Sequence, residues 1–259
     1  MEERDVLYRQ EKNIGIITLN RPHCLNAING NLLKEFIKQL IVAKEDRRTD
    51  SIILTGEGRA FCAGEDLKET SAGKDFETWI EEVDRLQEIQ RLILNLGKPM
   101  IAAVSGYALG GGCEFAMSCD IRIAAHDAKF GFPETGVGLT VTTAGTKLLS
   151  QLVGLGKAKE LVFTGEFIDA NEAFRIGLVN RVVPREGLLD EAIAMAQKIA
   201  KRSPLAVKLS RIAIDLGLHS SFDQILEIET CHMLACVGSQ NQKKFVDKKL
   251  EEMKKRDAI

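Results

Sequence analysis

The sequence predicts an α/β fold (α+β in its segregation) that ends in a largely helical C-terminal third. Three observations predict it. Short apolar runs of strand length recur at residues 14–19, 51–55, 100–104 and 121–125. Longer segments with apolar residues at helical spacing separate them, as over 31–41 and 76–96. Beyond residue 169 the pattern is nearly all amphipathic helix.

Residues 5–10 and 14–19 read as a hairpin across the polar turn Glu11, Lys12, Asn13, ended by Asn20, Arg21 and Pro22. From Asn31 the residues Leu33, Phe36, Ile37, Leu40 and Ile41 mark a helix, and the chain therefore opens β-β-α-β. After the strand at 51–55 comes a loop, 56–67, whose centre Ala60, Phe61, Cys62, Ala63 is too apolar for an ordinary exposed turn. Close backbone approach to something is expected there. Small polar residues at 71–75 then lead into the helix at 76–96, a combination that suits a lid or pocket wall. Trp79 on that helix either lines a pocket or packs the helix. Asp169 with Glu172 resembles a capping box, Gly177 stops that helix, and Leu189, Ala192, Ile193, Ala196 and Ile199 form another stripe. Ser203 before Pro204, and Ser221 with Gln224, open two more helices, several with faces apolar enough to pack beyond their own subunit. The alternating Lys, Asp and Glu of 241–256 read as a solvated helix, with an excess of Lys that could also meet a phosphate as the alternative.

The chain turns on residues 98–120. An apolar strand breaks at Ser105 and Gly106, then passes through Gly110, Gly111 and Gly112 into a helix start carrying Glu114. A helix start leaves N–H groups unpaired, so the geometry favours a partial negative charge beside a possible general acid or base. Close packing alone is the plainer reading of such a turn. A nucleotide-binding loop is a poor one, because neither G-x-G-x-x-G nor G-K-[ST] is present. Glu134, in the glycine-flanked turn 130–136, is the second carboxylate that the topology can bring to the same end of the sheet. A solvated loop side chain is the alternative.

At 259 residues, 45% hydrophobic and 28% charged, the chain can bury a substantial core. A net charge of −2 gives no electrostatic reason to bind nucleic acid or an anionic membrane. The acidic start is followed by no apolar signal segment, and no stretch has the length of a membrane span, so a cytoplasmic protein is expected. Six scattered cysteines without a C-x-x-C pair read as reduced and mostly buried. Cys231, His232 and Cys236 read as an apolar helix face before they read as metal ligands.

Taken together the motifs resemble the enoyl-CoA hydratase/isomerase (crotonase) family. The matching stretches are Leu19, Asn20, Arg21, Pro22 with Leu25, Asn26, Ala27; residues 58–68; residues 98–120; Phe130, Gly131 with Pro133, Glu134; and 161–165 leading to 177–184. The resemblance implies a spiral of ββα units with two sheets meeting steeply over residues 1–200, and a helical region at 201–259 that packs subunits into a homotrimer or a homohexamer. It implies an acyl-CoA thioester substrate whose enolate oxygen is held by the N–H groups of Ala63 and Gly111. Ala63, Gly64, Glu65, Asp66, Leu67 and Gly111 would line the coenzyme A path, and Glu114 and Glu134 would hold a water between them. Which of the two is acid and which base stays open. No metal or redox cofactor is implied, since the coenzyme A is part of the substrate. Retention of both acids favours hydration over isomerisation. The chain departs from the family where a Pro-Gly and a Gly-Gly-Thr are usual: it has Val141, Thr142 and then Ala144, Gly145, Thr146. That departure predicts altered water placement or an unusual acyl group, hence the alternatives of an isomerase or a hydratase for a branched, cyclic or aromatic acyl-CoA. The C-terminal segment lacks the usual Glu-Gly before Phe245. A catalytically silent scaffold of the same fold is the reading from another class, and the intact acids argue against it.

Overall fold

In the computed structural model, residues 4–239 and 241–257 are described. Strands β1 (Val6–Glu11) and β2 (Ile14–Leu19) pair antiparallel across Lys12, whose φ of 54° is left-handed. β1 is an edge strand and only partly buried, whereas β2 is buried along nearly its whole length because β3 (Ser51–Gly56) pairs with its other side in parallel. Between them α1 (Gly30–Glu45) starts where Asn29 Oδ1 accepts the Leu32 N–H at 2.9 Å, and it buries Leu32, Leu33, Phe36, Leu40 and Ala43. The short α2 (Leu67–Ser71) and the long α3 (Phe76–Leu94) follow, α3 packing on α1.

β4 (Met100–Val104) is wholly buried and leads through β5 (Tyr107–Leu109) into α4 (Gly111–Ser118). β6 (Ile121–Ala125), β7 (Lys129–Gly131), α5 (Gly145–Val153), α6 (Leu155–Thr164), β8 (Ile168–Asp169), α7 (Ala170–Arg175) and β9 (Arg181–Val183) follow in the first part, and α8 (Leu188–Ala200) runs through its last residues. The larger sheet has the order β1-β2-β3-β4-β6-β9 and is parallel except at β1–β2; the smaller has the order β5-β7-β8. β5, β7 and β8 are additions to the sequence expectation, which treated 105–110 as a plain turn.

The ends of the 98–120 stretch are structural. Lys98 Nζ donates to the Ala43 and Asp46 carbonyls, both at 2.7 Å, and so holds the end of α1, while Asp120 Oδ2 accepts the Met100 N–H at 2.7 Å. Asn180 performs a similar service further on: its Oδ1 accepts the Arg122 N–H and its N–H donates to the Arg122 carbonyl, each at 2.8 Å, which ties β6 to β9.

Compact units divide after Ala196. The second unit carries α9 (Pro204–Gly217), α10 (Phe222–Gly238) and α11 (Asn241–Asp257). Ser203 caps α9 with Pro204 at its first position, and Ser221 with Gln224 forms a full capping box on α10, both as the sequence predicts. Neither α9 nor α10 has a buried residue, and Ile214, Phe222, Leu226, Met233 and Leu234 are exposed. Among the described residues no helix is long and apolar enough to cross a membrane.

Asn26 holds the first unit's loops together. It is fully buried in the left-handed conformation at φ 56°; its Oδ1 accepts the Arg21 N–H at 2.7 Å, and its Nδ2 donates to the carbonyls of Glu57, Ala60 and Phe61. Replacing it leaves several backbone groups buried without partners and puts a less tolerant residue in a left-handed turn. Asn26→Ala is expected to cost about 3 kcal/mol in urea unfolding; a loss under 0.5 kcal/mol contradicts the clamp.

Candidate active site

The site is built where two loops lie side by side beyond the ends of β3 and β4. Cys62 N–H donates to the Tyr107 carbonyl at 2.9 Å and the Leu109 N–H returns to the Cys62 carbonyl at 3.0 Å, so the apolar loop centre is paired with β5. This is the close backbone approach that its composition predicts. A Cβ on Gly112 would collide with the Cys62 carbonyl and come within 2.7 Å of the Cys62 Cβ, so glycine there is what lets α4 start against the loop at Cys62. Burial pushes the Cys62 thiol up to about 12, and it pushes the wholly buried Cys113 thiol up as well, with the charges of Glu134 and Glu114 adding to the effect.

Glu114 projects from the first turn of α4 and is 1% exposed. Its Oε2 accepts from Thr142 Oγ1 at 3.1 Å, while Oε1 has no hydrogen-bond partner among the described residues. Burial first, and the charge of Glu134 second, push its pKa up to about 7. Glu134 sits in the 3-10 turn Pro133–Val137, with both carboxylate oxygens buried and unpartnered among the described residues, and burial raises its pKa also. The two carboxylates converge on one glycine corner. A Cβ on Gly110 would lie 3.2 Å from Glu134 Oε1, and one on Gly111 would lie 3.8 Å from Glu114 Oε2.

The amides need one correction. Ala63 N–H donates to the Leu25 carbonyl at 3.0 Å and is therefore already used inside the fold, which removes Ala63 as an oxyanion donor. Two residues on, the Glu65 N–H is left over. Ile28 N–H donates to the Gly64 carbonyl and Asp66 N–H to the Ile28 carbonyl, a parallel bridge between Ile28 and Glu65. In such a bridge the flanking residues supply the bonds, so the Glu65 N–H points away from Ile28, and it has no acceptor among the described residues. Gly64 adjoins Leu109, since a Cβ there would lie 2.7 Å from the Leu109 carbonyl. The same Cβ would lie 3.7 Å from the Gly110 Cα, so the loop at Gly64 runs against the entry to α4. Gly111, at the first position of α4, has an N–H with no intrahelical partner.

The side chains of this loop serve the frame. Asp66 pairs with Arg21 at 3.1 Å and caps α2; Glu65 accepts from Thr70 at 2.9 Å and from Lys74, which also reaches Glu82 at 2.8 Å and lies 4.9 Å over the half-buried Trp79 ring. Leu67 is exposed. Two features escaped the sequence reading, the Glu65 amide and the hydroxyl groups of Thr142 and Thr143. The first depends on the distant partners Leu25 and Ile28. The second was signalled by the departure at 141–146, which was read only for what it removed.

Fold and site define a class: an α/β protein in which two interlocked loops set unpaired amides beside a pair of buried carboxylates. The family model described as enoyl-CoA hydratase/isomerase matches residues 9–256, and the chain belongs to that family. It is similar to the short-chain-enoyl-CoA hydratase of Clostridium acetobutylicum, 43% identical over 267 residues covering 99% of this chain and 100% of that one. It is also similar to the crotonyl-CoA hydratase of Syntrophomonas wolfei, 41% identical over 98% of both chains. The crystal structure of enoyl-CoA hydratase from Bacillus anthracis superposes with a TM-score of 0.87 at 37% identity, covering 93% of this chain and 96% of that one.

Proposed function

We propose that the chain is an enoyl-CoA hydratase, adding water reversibly to a trans-2-enoyl-CoA to give a 3-hydroxyacyl-CoA. The observation that carries this reading is the convergence of two buried carboxylates, with three oxygens unpartnered among the described residues, on the corner that bears the Gly111 amide. Water added across a conjugated thioester needs one group to take a proton from it and another to deliver one to Cα, and two carboxyls of raised pKa supply both near neutrality. The thioester oxygen gains charge as the enolate forms. Gly111 and Glu65 N–H groups, fixed by the backbone, stabilise it without reorganising. The thioester itself acidifies Cα, so the reaction calls for no metal or redox cofactor. The loop Ala63, Gly64, Glu65, Asp66, Leu67 borders the coenzyme A path through its backbone.

The names of the two relatives support a short acyl chain. Val141, Thr142 and Ala144 in place of smaller or more rigid residues favour, as a second reading, a hydratase for a branched, cyclic or aromatic acyl group, or an isomerase. Exposed apolar residues on α9 and α10 support assembly into a homotrimer or homohexamer. Six free cysteines fit a reducing cytoplasmic setting. The test is loss of the conjugated enoyl-thioester absorbance of crotonyl-CoA with the purified protein. Rapid loss supports the short-chain hydratase; no loss from a folded protein that still binds acyl-CoA moves the assignment to the second reading.

A further inference from the structure

The turn at 141–145 wraps around Glu114. Thr142 Oγ1 and Thr143 Oγ1 both donate to Glu114 Oε2, at 3.1 and 3.4 Å, and the two hydroxyls are 3.3 Å apart. Thr143 is fully buried and has a φ of 36°, followed by Ala144 at 58°. A β-branched residue in the left-handed region is costly, and two non-glycine residues there in succession persist only where the surroundings hold them. The Thr142 carbonyl accepts the Gly145 N–H at 2.6 Å, which closes the turn. On its inner side a Cβ at Gly145 would lie 2.5 Å from Glu114 Oε1 and 2.6 Å from Val141 Cγ1. The strained backbone therefore places two hydroxyls on one carboxylate oxygen and leaves the other without a donor among the described residues.

We infer that Thr142 and Thr143 are positioning residues of the reaction: their hydroxyls, delivered from one tight turn to Glu114 Oε2, fix the plane of that carboxyl group and favour its ionised form. Both hydroxyls donate to the same oxygen, an arrangement that suits a carboxylate and conflicts with a proton on that oxygen. The substitutions in this turn thus replace the freedom of glycine with two fixed donors. The ionisable groups about Glu114 are Glu134, whose charge opposes its ionisation, and the Cys113 thiol, which burial keeps protonated. Against these the threonines act in the opposite sense.

The inference rests on the hydratase reading for its kinetic consequence and is independent of it for the state of Glu114. The test uses Thr142→Val, Thr143→Val and the double variant, which keep shape and remove the hydroxyls, with Thr142→Ser/Thr143→Ser as rescue. An infrared pH titration, with Glu114→Gln subtracted to isolate the Glu114 carboxyl band, gives its midpoint directly. The Val double variant should raise that midpoint by roughly 1 pH unit, and the Ser double variant should return it to within a few tenths. In the crotonyl-CoA assay the Val double variant should lose roughly 10-fold in kcat with KM changed less than 2-fold. An unmoved midpoint in a folded Val variant overturns the inference, as does a moved midpoint with unchanged kcat, or a Ser variant no better than Val. If the double variant does not fold, Thr142→Val, at the more exposed position, decides by the same readouts. Failure of the wild type to hydrate crotonyl-CoA counts against the hydratase reading alone, because the infrared midpoint needs no substrate.

Discussion

Glu114→Gln folds, loses hydration by ~10²–10⁴-fold, and at pH 8 is more stable than the wild type. The activity loss follows from removal of one of two proton-transfer groups, and Glu134→Gln should lose a similar factor. The stability gain comes from linkage. Glu114 is pushed up to about 7 in the fold against an ordinary value of 4.5, so between those values the folded state holds a proton that the unfolded chain has released. Stability therefore falls as pH rises through this window, and above it the fold carries a buried charge opposed by Glu134. Gln carries none. The variant should match the wild type near pH 4 and exceed it by on the order of 1–3 kcal/mol at pH 8. Thermal melts at the two pH values decide it: a stability difference that does not grow with pH would mean that burial does not tax this carboxyl.

Gly112→Ala is the second large effect, and it acts through backbone. The added Cβ would collide with the Cys62 carbonyl, and neither α4 nor the loop at Cys62 can yield cheaply, because Cys62 is bonded to β5 in both directions. We expect a loss of about 3 kcal/mol, read as a fall in Tm of roughly 5–10 °C. Activity should fall by ~10²-fold in the protein that remains folded, since the Gly111 and Glu65 amides are displaced together. Gly156→Ala is the control: nothing lies within 4 Å of its Cβ position, and it sits inside α6, so its Tm should hold or rise. Equal damage from both variants would remove the packing argument.

Sequence alone conveyed the long elements because they carry their own signals. The Asp169, Ser203 and Ser221 caps and the apolar runs of β2, β3 and β4 are local, and they appear where the chain marks them. β5, β7 and β8 are two or three residues long, too short for alternation to register, and exist only because Tyr107–Leu109 meets Lys129–Gly131. The same division runs through the site. Glu114 and Glu134 stood out as carboxylates in unusual turns, whereas the choice between the Ala63 and Glu65 amides is made by carbonyls 38 and 37 residues earlier in the chain, at Leu25 and Ile28. Motif spacing records that a loop is special and cannot record which of its N–H groups is spent. Thr142 shows the converse, since its departure from the family pattern was visible but its hydroxyl's target was not.

The cysteines supply a clock for the molecule. Cys62 and Cys113 flank the glycine corner as thiols held in protonated, unreactive form, while Cys231 stands exposed on α10. An alkylating reagent added to the native protein meets the exposed Cys231 before the buried Cys62, Cys113 and Cys119, which it reaches only when the elements around them part. The delay between the first label and the last measures how often the heart of the enzyme opens.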